Sequence, residues 1–124
     1  MAIPIQRTQD QDRAAQAYKD VCAVPKPSVA EKYKSLVRSA PADIQTNGLG
    51  QSVAFWRAKG KDEHNLLYQH VNAWIRNKMK LSNDLHLWII DQTTSSDQYR
   101  RATVEALAYL GWLKRFAEAE ITDK

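Results

Sequence analysis

The sequence predicts an all-α chain, a compact single-domain bundle of about six helices. Three features predict it. Apolar residues recur at three- and four-residue intervals in every periodic segment, and alternation nowhere lasts long enough for a strand. Capping-box patterns precede two of these segments, and Pro, Gly or small polar residues close several of them. A length of 124 residues fits one domain, spanning 1–124, that can bury roughly 60 to 70% of its unfolded surface. With 44% hydrophobic residues, four tryptophans and both charge signs dispersed, the composition is that of a folded domain and not a disordered tail. The first ten residues are read as a flexible N-terminal arm.

Each element has its own local reason. The first helix is expected from Thr8, where Thr8-Gln9-Asp10-Gln11 resembles a capping box, to the break at Pro25-Lys26-Pro27, with Ala14, Ala17, Tyr18 and Val21 as its buried stripe. Ser28-Val29-Ala30-Glu31 reads as a stronger capping box. It opens a second helix whose apolar positions are Val29, Tyr33, Leu36, Val37 and Ala40, after which Pro41 is expected to turn the chain. A third helix is expected from about Ala42 to Lys59, burying Ile44, Leu49, Val53 and Trp56 and stopping at Gly60. The fourth should run from about Asp62 to Lys80 over Leu67, Val71, Trp74, Ile75 and Met79. A short fifth, near Asn83 to Asp91, holds Leu85, Trp88 and Ile89, and Thr93-Thr94-Ser95-Ser96 is a polar linker. The sixth, from about Asp97 to Ala119, presents Tyr99, Thr103, Ala106, Leu110, Leu113 and Ala117, widened by Ala102, Tyr109 and Phe116. So broad a stripe marks a central helix packed by several others.

Composition also excludes function classes. One cysteine, Cys22, forbids an intramolecular disulfide and a cysteine-based zinc site, and no apolar run approaches the 18 or so residues of a membrane span. Met1 to Arg7 offers no apolar signal region, so the chain is expected to be soluble and cytoplasmic. The net charge of +4 is unevenly placed: residues 26–61 hold seven cations against two carboxylates, a balance of +5, whereas residues 62–98 hold three against five. Such a bipolar molecule can offer a basic surface to a polyanion and other surfaces to proteins.

Catalytic chemistry has little to stand on. His64, His70 and His86 lack the spacing of a helix-borne metal site, so no metal or cofactor is expected. Gly48 and Gly50 form a lone G-x-G without a preceding strand or third glycine; in a helix they are better explained by close approach of a second backbone. Asn47 can cap a helix kink or hydrogen-bond a partner, and Trp56, beside Arg57 and Lys59, is the tryptophan best placed for nucleic acid. Among the cations, Arg57, Lys59, Arg76, Lys78, Lys80, Lys114 and Arg115 fall where final helical turns are expected, and there they complement the macrodipole. Lys32, Lys34, Arg100 and Arg101 stand nearer helix starts, without that explanation. Asp97 has i, i+4 spacing to Arg101, a partial structural account, and Lys34 repels Arg38 unless an anion bridges them. The candidate polyanion contacts are therefore Lys32, Lys34, Arg38, Arg100 and Arg101, with Arg57, Lys114 and Arg115 behind them.

Two blocks carry a family resemblance. Pro41, Ile44 and Asn47-Gly48-Leu49-Gly50-Gln51 form the first; Tyr99-Arg100, Ala102-Thr103, Glu105-Ala106-Leu107 and Trp112-Leu113-Lys114-Arg115-Phe116-Ala117 form the second. Over roughly Ala14 to Ala119 the chain resembles the small helical subunit of the type III-B CRISPR effector, the RNA-guided Cmr complex; Ala40, where that family commonly has leucine, is a small departure. The resemblance implies an all-helical domain without catalytic residues, stacking in several copies beside a guide-RNA-bound backbone subunit. It implies a basic groove, shared with that subunit, along which guide and target RNA lie. Asn47, Gly48 and Trp112 are the motif residues it singles out. Two other classes stay open on the residues alone: a helical nucleic-acid-binding regulator, disfavoured by the acidic fourth-to-fifth helix region, and an adaptor that touches only protein.

Overall fold

The computed structural model describes residues 7–25 and 27–121. Among the described residues there are six helices and no strand: α1 (Gln9–Cys22), α2 (Ser28–Asn47), α3 (Leu49–Lys59), α4 (Asp62–Met79), α5 (Leu85–Ile90) and α6 (Ser96–Glu120). The expected all-α bundle is therefore the observed one. α6 packs against α1, α2 and α4, while α3 rests on α2, α4 and α5. The core runs between them, from Ala17 and Val21 of α1 through Tyr33, Val37, Ile44, Leu49, Trp56, Leu67 and Ile75 to Ala106, Tyr109, Leu110 and Leu113 of α6.

Of the N-terminal arm expected over residues 1–10, the first six lie outside the described residues. Thr8 forms its capping box: the Gln11 amide donates to Thr8 Oγ1 at 3.0 Å and the Thr8 amide to Gln11 Oε1 at 2.8 Å. The Ser28 box does not form. Pro27 is the N-cap of α2 and no side chain caps it, so Ser28 is already inside the helix. An unanticipated box opens α6 instead, where the Gln98 amide donates to Ser95 Oγ at 3.1 Å and the Ser95 amide to Gln98 Oε1 at 2.9 Å.

The boundary expected at Pro41 is also displaced. α2 continues through Pro41 to Asn47, and the chain breaks at Gly48, whose φ of 87° and ψ of 160° lie outside any helix. The reason is packing. Tyr33, Val37, Ala40 and Ile44 keep the helical spacing across the proline and are all buried, so the stripe holds the helix together although Pro41 has no N–H to donate. Nor does a second backbone approach the glycines: a Cβ on Gly50 would lie 3.4 Å from Ile89 Cγ2 and from the Tyr99 hydroxyl, and the Gly50 amide donates to that hydroxyl at 2.9 Å.

Candidate nucleic-acid interface

The polyanion candidates separate into several places. Arg100 and Arg101, in the first turns of α6, line a cavity of about 390 Å³ with Lys78 from the end of α4, Gln9 from α1 and Glu105. Glu105 is not free to cancel these charges. Arg13 clamps it through Nε at 2.6 Å and Nη2 at 2.9 Å, and the Trp74 indole donates to it at 2.8 Å. Burial pushes the Glu105 carboxyl up, but the hydrogen bonds from Arg13 and Trp74 outweigh burial and hold it below the usual carboxylate range. Lys78 lies over the Trp74 ring, 5.2 Å from its centroid. Arg100 pairs with Asp97 at 2.6 Å, the i, i+3 partner in place of the expected Asp97–Arg101 pair, and both groups are largely exposed. Arg101 is exposed and has no partner among the described residues.

The α2 candidates divide. Lys34 is buried, and its ammonium donates to the carbonyl of Ile121 at 3.0 Å, tying α2 to the end of α6. Its expected place as an exposed polyanion contact is corrected: the carbonyl at the end of α6 draws the ammonium inward. Lys32 is exposed but lines a shallow cavity with Glu31, Glu63 and His64, surroundings that favour a cation over a phosphate. Arg38 is exposed and without a partner among the described residues. Arg57, on the last turn of α3, places its guanidinium 5.1 Å from the centroid of Tyr68. Lys114 is half-buried and Arg115 exposed, and because α6 runs on to Glu120 neither lies in its final turn. The macrodipole therefore does not account for them.

The motif residues also divide. Gly48 supplies the kink, and Trp112 is structural, its indole donating to Asp10 at 2.9 Å while its ring stacks on Phe116. Asn47 is exposed with its amide unpartnered among the described residues. Trp56 is 1% exposed and belongs to the core; its neighbour Phe55, which sequence reasoning passed over, is 49% exposed. Periodicity placed Trp56 on the core face, and that signal could equally have put Phe55 outside. The Arg13–Glu105–Trp74 cluster carried no local signal, since its members lie 31 to 92 residues apart.

Among the described residues no group of three or more His, Cys, Asp or Glu side chains could hold a metal ion. No described helix is long and apolar enough to cross a membrane. A model of the family described as CRISPR-associated protein (Cas_Cmr5) matches residues 9–120. The CRISPR system Cmr subunit Cmr5 of Thermus thermophilus is 29% identical over 122 residues, covering 94% of this chain and 99% of that one. The crystal structure of a CRISPR-associated Cmr5 family protein, also from Thermus thermophilus, matches with a TM-score of 0.77 at 30% identity, over 94% of this chain and 100% of the other. On sequence and on fold alike, the chain belongs to the Cmr5 family of CRISPR-associated proteins.

Proposed function

We propose that this chain is a non-catalytic small subunit of a type III-B CRISPR RNA-targeting ribonucleoprotein, the Cmr complex, in antiviral defence. Copies stack in a filament beside the guide-bound backbone subunit and line the basic groove that takes guide and target RNA. The observation that carries this is the family match across residues 9–120, together with a relative of nearly equal length that is itself described as a Cmr subunit. The exposed cations Arg38, Arg57, Arg100, Arg101 and Arg115 support the RNA-lining role, and the clamp on Glu105 preserves the positive balance around Arg101. Lys34 is withdrawn from the set. Among the described residues no group of three or more His, Cys, Asp or Glu side chains could hold a metal ion for cutting.

Reconstitution tests the reading. Mixed with the backbone subunit and guide RNA, the chain should co-elute in a multisubunit particle and show no nuclease activity alone. Failure to join the particle would favour an unrelated helical adaptor, and cleavage that follows the pure protein and is lost in a point variant would make it an enzyme.

A further inference from the structure

The kink between α2 and α3 leaves two motif side chains without structural work. Gly48 makes the turn, Leu49 is in the core, and Gly50 hydrogen-bonds Tyr99, yet Asn47 and Gln51 are exposed and unpartnered among the described residues. Both line one cavity of about 270 Å³, with Asp43, Ser52, Phe55 and Trp56. Ser52 is only 4% exposed, and its hydroxyl oxygen is buried with no hydrogen-bond partner. Phe55 keeps about half its surface exposed, with the Lys59 ammonium 5.9 Å from its ring centroid and Arg57 on the same last turn of α3. The cavity thus combines two carboxamides, a carboxylate, an unsatisfied hydroxyl and a half-exposed aromatic ring that meets His64 edge-on, with the Lys59 cation beside it.

We propose that this cavity receives an unpaired base of single-stranded RNA, stacked on Phe55 and read at its edge by Asn47, Gln51 and Asp43. The inference rests on the RNA-lining role proposed above and adds a base contact to it. Carboxamides donate and accept together, as base edges require, and a carboxylate accepts from exocyclic and ring N–H groups. Asp43 repels a phosphate, so the base and not the backbone fits the cavity, while Lys59, whose ammonium lies by the Phe55 ring, is placed for the adjoining phosphate. An exposed aromatic ring stacks any base, so sequence preference is weak.

The test uses the full chain reconstituted with the backbone subunit, guide RNA and a target RNA carrying 5-iodouridine at successive positions, irradiated and read by mass spectrometry. The expected result is an adduct on Phe55. Phe55→Leu should abolish that adduct and weaken target binding by roughly tenfold. Asn47→Ala combined with Gln51→Ala should weaken binding severalfold with an unchanged helical spectrum, since both side chains are exposed. Ser52→Ala should raise the thermal midpoint of the free chain, because it removes an unsatisfied buried hydroxyl, and still lower RNA affinity; a merely structural serine would do only the first. Adducts confined to other residues, with parental affinity in Phe55→Leu and in the Asn47, Gln51 double variant, would overturn the inference and leave the RNA-lining role standing. A particle that contains the chain but gives no adduct on it, and binds RNA equally well when its exposed arginines are replaced, would overturn both in favour of a protein-only adaptor.

Discussion

His70 sets a pH limit on the fold. The Tyr33 hydroxyl and His70 Nδ1 are hydrogen-bonded at 2.6 Å, and burial there disfavours the charged ring. Burial lowers the His70 pKa from its usual 6.5, against an opposing pull from Asp20. A lowered histidine means that the unfolded chain binds more protons, so its contribution is complete above pH 6.5 and is lost as pH falls below that value. Glu105 acts lower on the scale: with its pKa held below 4.5, its contribution is present above that value and lost as pH falls through the folded one. Urea denaturation across pH should therefore show two acid steps in the parent. His70→Gln should remove the first and Glu105→Gln should shrink the second, to which the lowered carboxyls of Asp84 and Asp91 also contribute. Lys34 makes a separate prediction. Lys34→Met should cost about 1.5 to 3 kcal/mol, the range for a hydrogen bond from a charged donor, because the Ile121 carbonyl loses its ammonium. Equal stability in Lys34→Met and the parent, measured by urea denaturation, would show that the Ile121 contact contributes nothing net to the fold.

Helix identity was legible in the sequence and helix boundaries were legible only in part. Periodicity is averaged over a dozen or more residues and survives local errors, whereas an end is decided by a few backbone groups. The Thr8 box formed as read; the Ser28 box, identical in pattern, did not, because Pro27 took the cap position and left Ser28 inside the helix. Ser95-Ser96-Asp97-Gln98 carried the same signal inside a stretch read as linker. These differences convert into a paired experiment. Ser95→Ala should cost about 1 kcal/mol and Ser28→Ala close to nothing, by urea denaturation, since only the former loses a cap. The kink offers a sharper case. Gly48→Ala forces a side chain to φ 87°, ψ 160°, a region essentially closed to L-residues, and should cost about 1 to 3 kcal/mol in the same assay. Replacing Pro41 with alanine should be neutral or stabilising by comparison, because α2 already runs through it.

At the scale of the whole molecule, charge positions were legible in the sequence and their availability was not. Whether a cation is free depends on partners brought from far along the chain: Ile121 claims Lys34 from 87 residues away, and Arg13 claims Glu105 from 92. What remains exposed is a smaller set, in which Arg38 on α2 and Arg101 on α6 are unpartnered among the described residues and Arg100 holds only a solvent-exposed pair with Asp97. An exposed pair is worth about 0 to 1 kcal/mol and yields readily to a phosphate. If these three arginines meet RNA phosphates, replacing all three by glutamate should leave the circular dichroism helical and should still allow the chain to enter the assembled particle. Target RNA binding should weaken, most at low salt. The slope of log K against log salt should become shallower by roughly 2 to 3, since each lost phosphate contact on a single strand removes about 0.7 and each new carboxylate adds repulsion. Lys34 stays unchanged in that variant, so a loss of affinity cannot be traced to a loosened α2. Parental affinity and an unchanged salt slope in an assembled particle would show that the RNA does not run over these three arginines.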